Sequence, residues 1–371
     1  MPEDAHVNPG WAGGWLSIDL GAIVANWRDL ADRVAPAECA AVVKADAYGL
    51  GIDRVAPALS AAGCRSFFVA HLAEAVTLRR LLPDRTVFVL NGLPPGTAPD
   101  FAAHRLLPVL NSPEQIAEWQ AHAVMAGQRL PAALQIDTGM SRFGLAAADL
   151  ARLASEPEPF AGIDTRLVMS HLGCADTPDH PANAMQLAGF QALRPLLPAA
   201  ASSLAASSGI FLGRPFHLDM VRPGAALFGV PPTAGQLNPM RPVVRLQGRV
   251  VQTRLIQPGD WVGYGATFVA TRPTRIATVA IGYADGFLRS SQGGVACGPA
   301  GEMLPIVGRI SMDCLAVDVT DLAEPPVEGA PLDLIGPHRR LEDAADAAGT
   351  IGYEMLTSLG MRYHRTWNGP T

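Results

Sequence analysis

Charged side chains and cysteines are scarce in this chain. Only 17% of its 371 residues are Asp, Glu, Lys or Arg, and the formal net charge is −6. The 28 Lys and Arg are scattered without a basic run, which argues against a general nucleic-acid binder, whose contact face is basic. The five cysteines, Cys39, Cys64, Cys174, Cys297 and Cys314, are odd in number, widely spaced and form no Cys-x-x-Cys. That pattern speaks against a disulfide framework or a zinc site and fits free thiols in a reducing compartment. No run of about 18 uninterrupted apolar residues occurs, so no membrane-spanning helix is expected. The start, Met1-Pro2-Glu3-Asp4-Ala5-His6, lacks the basic and apolar regions of a leader, and a cytoplasmic location is the expectation. What the chain has in quantity is apolar material, 49% of residues, enough for a large core. Its length suits one barrel plus an accessory domain.

Up to about residue 230, short apolar, β-prone runs alternate with longer helical patterns. The runs are Cys39–Lys44, Ser66–Ala70, Thr86–Leu90, Leu106–Leu110, Ala133–Asp137, Arg166–His171, Ser202–Ser207 and Asp219–Gly229. Helical stretches between them include Ile52–Ala62, His71–Leu82, Ser112–Ala126, Ala146–Ala154 and Ala182–Leu197. This alternation predicts parallel strands joined by right-handed crossovers. Eight runs fit a closed (β/α)8 TIM barrel better than an open sheet, and near-continuous apolar strands agree, since both faces of a barrel strand are buried. The pattern changes after Pro231-Pro232. Strand-like runs follow at Val243–Leu255, Trp261–Ala270, Arg275–Ile281, Leu304–Ile310, Ala316–Val319 and Leu332–Ile335, with late helices at Leu341–Ala348 and Tyr353–Leu359. The expected organisation is an α/β chain. A barrel domain spans residues 1–240, its extreme N-terminus free to pack with the next domain, and a mostly-β domain spans residues 241–371.

Barrel enzymes build their sites at the carboxyl ends of the strands. Read to its end, the first run delivers Lys44. The fifth leads into Asp137-Thr138-Gly139-Met140-Ser141-Arg142, the sixth ends at His171, the seventh at Ser207-Ser208-Gly209, and the eighth carries Arg222-Pro223-Gly224. An amine, an imidazole, two guanidinium groups and a Ser/Gly turn therefore converge on one rim. Taken singly, Arg142 reads equally as a surface charge, His171 as a satisfied core histidine and Ser207 as a helix cap. Lys44 directly follows the apolar run Ala40-Ala41-Val42-Val43, so its amine must pair or react. Together these groups suit an aldehyde cofactor bearing a phosphate. A lysine forms a Schiff base, backbone N–H groups of a Ser/Gly turn take the phosphate, and an arginine or acid addresses the pyridine nitrogen. That describes pyridoxal 5′-phosphate. A Lys44 that only binds a substrate phosphate or carboxylate is the alternative.

The stretch Ala41-Val42-Val43-Lys44-Ala45-Asp46-Ala47-Tyr48-Gly49-Leu50-Gly51 resembles the cofactor-lysine motif of the alanine racemase family. Similar blocks run along nearly the whole chain, at residues 15–20, 136–144, 219–224, 262–265, 281–286, 307–313 and 349–354. The resemblance implies a barrel plus a β domain and a homodimer with shared active sites. It implies pyridoxal-phosphate-dependent interconversion of L- and D-alanine, supplying D-alanine for peptidoglycan. It implies that Lys44 holds the cofactor and acts as base on one face of the substrate Cα, while the partner subunit's Tyr264 serves the other. Two opposed bases meet the need to remove a proton from one face and return one to the other. A tyrosine, with an ordinary pKa of about 10, needs nearby positive charge to act so, and Arg142 is the expected source. The resemblance also places Arg142, Met312 and Tyr283 at the substrate. Tyr48, His171, Ser207, Arg222, Gly224, Ala225 and Tyr353 surround the cofactor. Arg222 would face the pyridine nitrogen; a guanidinium stays protonated, so that nitrogen would stay unprotonated and the ring would be a weaker electron sink, with a short-lived carbanion and little transamination or decarboxylation.

Gln135 departs from the family pattern, standing where many members have a lysine that can be carbamylated. No carbamate is expected here, and Arg142, with a neutral amide in hydrogen-bonding range at most, is expected to be positioned differently. Ala206 and Ser208 likewise flank Ser207 in a segment that often carries an asparagine. The near alternative is a serine or broad-specificity racemase of the same fold. Arg222 opposes a barrel-type basic amino-acid decarboxylase, and the residues after 240 oppose a single-barrel cofactor carrier.

Overall fold

The computed structural model describes residues 7–369, so the leader reading of residues 1–6 lies outside the described residues. The chain divides into two compact units. One is Ile23–Arg241; the other joins the chain up to Ala22 with the chain from Pro242 onward.

Ile23–Arg241 is a parallel barrel. Its neighbouring strands are Ala41–Val42, Ser66–Val69, Thr86–Val89, Leu107–Leu110, Leu130–Gln135, Ile163–Met169, Ala201–Ala206, Met220–Arg222 and Glu38–Cys39. The first and last of these are one strand interrupted at Ala40. Its first half pairs with Met220–Arg222 and its second with Ser66–Val69, which closes eight parallel strands into a ring. Every residue of Ser66–Val69 and of Leu107–Leu110 is buried, as strands covered on both faces demand. The helices between them are bounded by ordinary signals. In Pro113–Ala126, the Ser112 Oγ accepts the Gln115 N–H and Gly127 ends the helix at φ +63. A further helix, Ala98–Ala103, lies where the sequence reading names none.

The two strands at the ring closure differ from expectation. The first stops at Val42 rather than Lys44, because the chain turns left-handed immediately after Lys44. The last, expected over Asp219–Gly229, stops at Arg222. Pro223 has no N–H to extend the ladder, Gly224 leaves extended backbone at ψ −81, and Ala225–Phe228 forms a 3-10 turn.

The other unit is β-rich. Its 13-residue strand Val244–Ile256 pairs with Pro331–Ile335 along one part and Thr274–Val279 along another, with register shifts between. With Leu315–Asp318, Met303–Val307 and Val295–Cys297 these form a ring of six antiparallel strands. Gly14–Asp19 lies between Val244–Ile256 and His364–Asn368, antiparallel to the first and parallel to the second, with Trp15 opposite His364. The strand expected over Trp261–Ala270 is instead a hairpin of two-residue strands, Trp261–Val262 and Phe268–Val269. Gly263 and Gly265, at φ +71 and +73, break it around Tyr264. All five cysteines are free thiols. Among the described residues no helix is long and apolar enough to cross a membrane.

Candidate active site

Lys44 stands at the carboxyl end of the first barrel strand, at the head of a left-handed turn. Ala45, Asp46, Ala47 and Tyr48 all have φ between 52 and 58. Each such residue costs roughly 1–2 kcal/mol against the right-handed form, so the surroundings must hold the turn. Ala47 N–H donates to Val43 O at 3.0 Å. The Asp46 carboxylate accepts the Ile52 N–H at 2.8 Å, and the Glu74 Oε1 accepts the Ala45 N–H at 2.6 Å. Tyr48 is buried, its ring 4.7 Å from that of Phe228. The Lys44 amine is held below its ordinary value, first by burial and then by Arg142, with Glu74 opposing. More of it is thereby neutral and nucleophilic.

Arg222, at 2% exposure, is the most deeply buried charge of the rim. One end of its guanidinium donates to Ser203 Oγ; the other donates to Ser170 O at 2.7 Å and to His171 Nδ1 at 3.5 Å. A neutral His171 accepting there carries its own proton on Nε2. Its carbonyl and the following loop are fixed by Gln186, whose amide donates to His171 O and accepts from Gly173 N–H. Burial, and then Arg222, Arg142 and Lys44, push the His171 imidazole down to about 3. The expected result in an NMR titration is a ring that stays neutral from about pH 6.5 to near 3. A transition at the ordinary value would contradict this cation-lined position. In that window the unfolded chain binds the proton and the folded chain does not. His171 therefore withdraws stability as the pH falls through it.

The phosphate side is built around a glycine. A Cβ on Gly224 would lie 2.3 Å from the Tyr48 hydroxyl and 3.2 Å from Val42 Cβ, so only glycine lets the backbone approach that hydroxyl. Ser207 Oγ accepts the N–H groups of Gly224 (3.0 Å) and Ala226 (3.1 Å). With both lone pairs engaged, its own hydrogen is left to donate to an anion. Ala225, buried, lies between these two amides in sequence. Two hydroxyls and the buried turn of residues 224–226 gathered on one spot suit a phosphate group.

Arg142 follows a loop drawn together by Asp137, whose Oδ1 accepts the N–H groups of Gly139, Met140 and Ser141 at 2.9–3.1 Å. The loop closes at Gly144, φ +107, where a Cβ would meet the Asp137 nitrogen at 2.6 Å. Arg142 is exposed and its guanidinium lies 5.8 Å from the Phe143 ring centroid. Arg142 and the buried Gln135 line one hollow with Ser170 and His171, and among the described residues no hydrogen bond joins the two.

The β-rich unit carries the remaining candidates. Tyr264, 72% exposed, tops the hairpin turn. Tyr283 and Met312 are brought side by side by backbone bonds: Tyr283 N–H donates to Ser311 O and Ala284 N–H to Met312 O. Arg362 fastens the same two loops, pairing both Asp285 oxygens and one of Asp313. Tyr353 lies in the first turn of helix Gly352–Ser358. Sequence reasoning missed Glu74, Asp137, Gln186, Ser203 and Arg362. Only Glu74 left a signal, an acid three residues past His71 at a helix start.

An amine held below its ordinary value, a buried guanidinium that burial lowers to about 9, and a serine gathering two backbone amides share this rim, a set whose chemistry suits an aldehyde cofactor bearing a phosphate. Residues 18–232 match the family model "Alanine racemase, N-terminal domain" and residues 243–367 match "Alanine racemase, C-terminal domain". A Mesorhizobium japonicum protein named "Alanine racemase, catabolic" is 50% identical over 99% of this chain and 98% of its own length. An alanine racemase of Brucella canis is 49% identical over 96% of this chain and 94% of its own. The crystal structure of the Bartonella henselae alanine racemase, with covalently bound pyridoxal phosphate, superposes with a TM-score of 0.93. It is 44% identical, covering 96% of this chain and 100% of that one. The chain belongs to the alanine racemase family, whose members are pyridoxal-phosphate-dependent isomerases.

Proposed function

We propose that the protein interconverts L- and D-alanine, with Lys44 and the partner subunit's Tyr264 as the two proton-exchanging groups. Arg222 carries this reading, because its place in the barrel is held by Ser203, Ser170 and His171 and it is a cation, not an acid. Pyridoxal phosphate, when bound, supplies an aldehyde for the amino group and a ring that draws electron density from Cα. Lys44 Nζ would hold the aldehyde, Arg222 the ring nitrogen, and Ser207, Tyr48, Gly224, Ala225 and Tyr353 the phosphate, with His171 beside the ring. As a guanidinium rather than an acid, Arg222 would leave that nitrogen unprotonated, a weaker electron sink that would disfavour decarboxylation and transamination. The reaction breaks one Cα–H bond. Its proton passes to Lys44 Nζ or Tyr264 Oη, and the other group returns a proton to the opposite face, so no proton is gained or lost overall. Arg142, Met312 and Tyr283 would bind the substrate. Bulk from Met312 and Tyr353 at the mouth favours a small side chain, though rejecting one methylene is worth only ~1–3 kcal/mol.

This reading takes the protein as a cytoplasmic homodimer, its domain after residue 240 lending the second base. Incubating L-alanine with the holoenzyme should yield D-alanine without carbon dioxide. Carbon dioxide without D-alanine would overturn the assignment. For the biological role, supply of D-alanine to peptidoglycan is one reading. The word "catabolic" in the names of the Mesorhizobium japonicum and Agrobacterium fabrum relatives, each 50% identical, favours a second, the breakdown of alanine. A gene deletion that creates a D-alanine requirement supports supply; one that abolishes growth on alanine alone supports breakdown.

A further inference from the structure

The Glu74 carboxylate joins two segments far apart in the chain. Its Oε2 accepts the N–H groups of Ala70 (2.8 Å) and His71 (3.0 Å), where the second full barrel strand hands over to helix Leu72–Leu81. Its Oε1 reaches across to the Ala45 N–H at 2.6 Å. Ala45 is the first left-handed residue of the turn and directly follows Lys44. The far end of the turn has its own clamp, Asp46 on Ile52 N–H; at the lysine end, Glu74 is the side chain that fastens the backbone. A helix start needs only the Oε2 bonds, so the Oε1 bond serves something else. Glu74 also stands close enough to act on the Lys44 amine, on which Arg142 acts with the opposite sign.

We infer that Glu74 is a positioning residue for Lys44: by clamping the Ala45 amide it fixes where the strained turn aims the amine, both for taking up the cofactor aldehyde and for exchanging the substrate proton. This rests on the reading of Lys44 as the cofactor lysine.

The test separates helix capping from lysine positioning. Glu74→Asp keeps a carboxylate able to cap the helix but is one methylene too short to hold Ala45 as well. Glu74→Gln keeps the length and one acceptor oxygen without the charge. Apoprotein of each variant is mixed with pyridoxal phosphate, and the rise of protein-bound visible absorbance is timed. Melting temperature and kcat and KM for both alanine enantiomers are measured alongside. The expected result for Glu74→Asp is a near-normal melting temperature with cofactor uptake and kcat slowed roughly ten- to hundredfold in both directions, Glu74→Gln falling between it and the parent. Uptake and kcat within about twofold of the parent in both variants overturn the inference, whatever the melting temperature does. Lys44→Ala is the control. If it still develops the bound absorbance, the assignment of Lys44 itself fails. If it does not, while the Glu74 variants behave as the parent, only the role of Glu74 fails.

Discussion

Lys44→Ala is expected to give folded protein that stays colourless with pyridoxal phosphate and racemises alanine at least ~10³-fold more slowly. The substitution removes the amine that would hold the cofactor and one of the two proton-exchanging groups together. The fold should survive, because Lys44 follows the last paired residue of its strand and the turn is secured by Val43, Asp46 and Glu74 rather than by the lysine side chain. Spectroscopy of the reconstituted variant beside circular dichroism checks both halves. A bound chromophore on Lys44→Ala would send the search to another amine.

Tyr264→Phe should separate the two directions of the reaction. If Tyr264 Oη takes the proton of the L-enantiomer, the variant loses exchange of that α-hydrogen by ~10²- to 10⁴-fold, while removal from D-alanine by Lys44 is far less affected. Deuterium wash-in from heavy water, followed separately from each enantiomer, reads this directly. Equal losses in the two half-reactions, or none, would refute a two-face division of labour. Tyr264→Phe removes only a hydroxyl and keeps the ring, so a change in melting temperature beyond a few degrees is not expected.

The barrel was legible because its signal is local. Strands such as Leu107–Leu110 are buried on both faces and apolar throughout, and helices such as Pro113–Ala126 announce themselves with Ser112 and Gly127. The rim positions of Lys44, His171, Ser207 and Arg222 were legible from where their strands end. The left-handed turn was not. Ala45-Asp46-Ala47-Tyr48 contains no glycine, and one of the groups bonded to its backbone is an acid 29 residues from Ala45. The hairpin at Tyr264 was read as one strand because its apolar residues outweighed two glycines whose positive φ breaks it. For the extreme N-terminus the sequence allowed packing with the next domain, but the strand partners of Gly14–Asp19 were hidden. Its burial alternates, with Leu16 and Ile18 inside, but its two neighbours, Val244–Ile256 and His364–Asn368, are remote in sequence.

That remoteness has a consequence for biosynthesis. The strand at Gly14–Asp19 is synthesised before residues 23–241, and the strand it lies beside in parallel, His364–Asn368, well after them. At roughly 5–20 residues per second, residue 241 is made on the order of ten seconds before the strand at His364–Asn368. The barrel can therefore close while the nascent N-terminal strand still waits with an unpaired, apolar edge, the kind of surface that chaperones bind. Slowing translation after residue 241 should lengthen that wait and lower the yield of native protein more than an equal delay imposed before it.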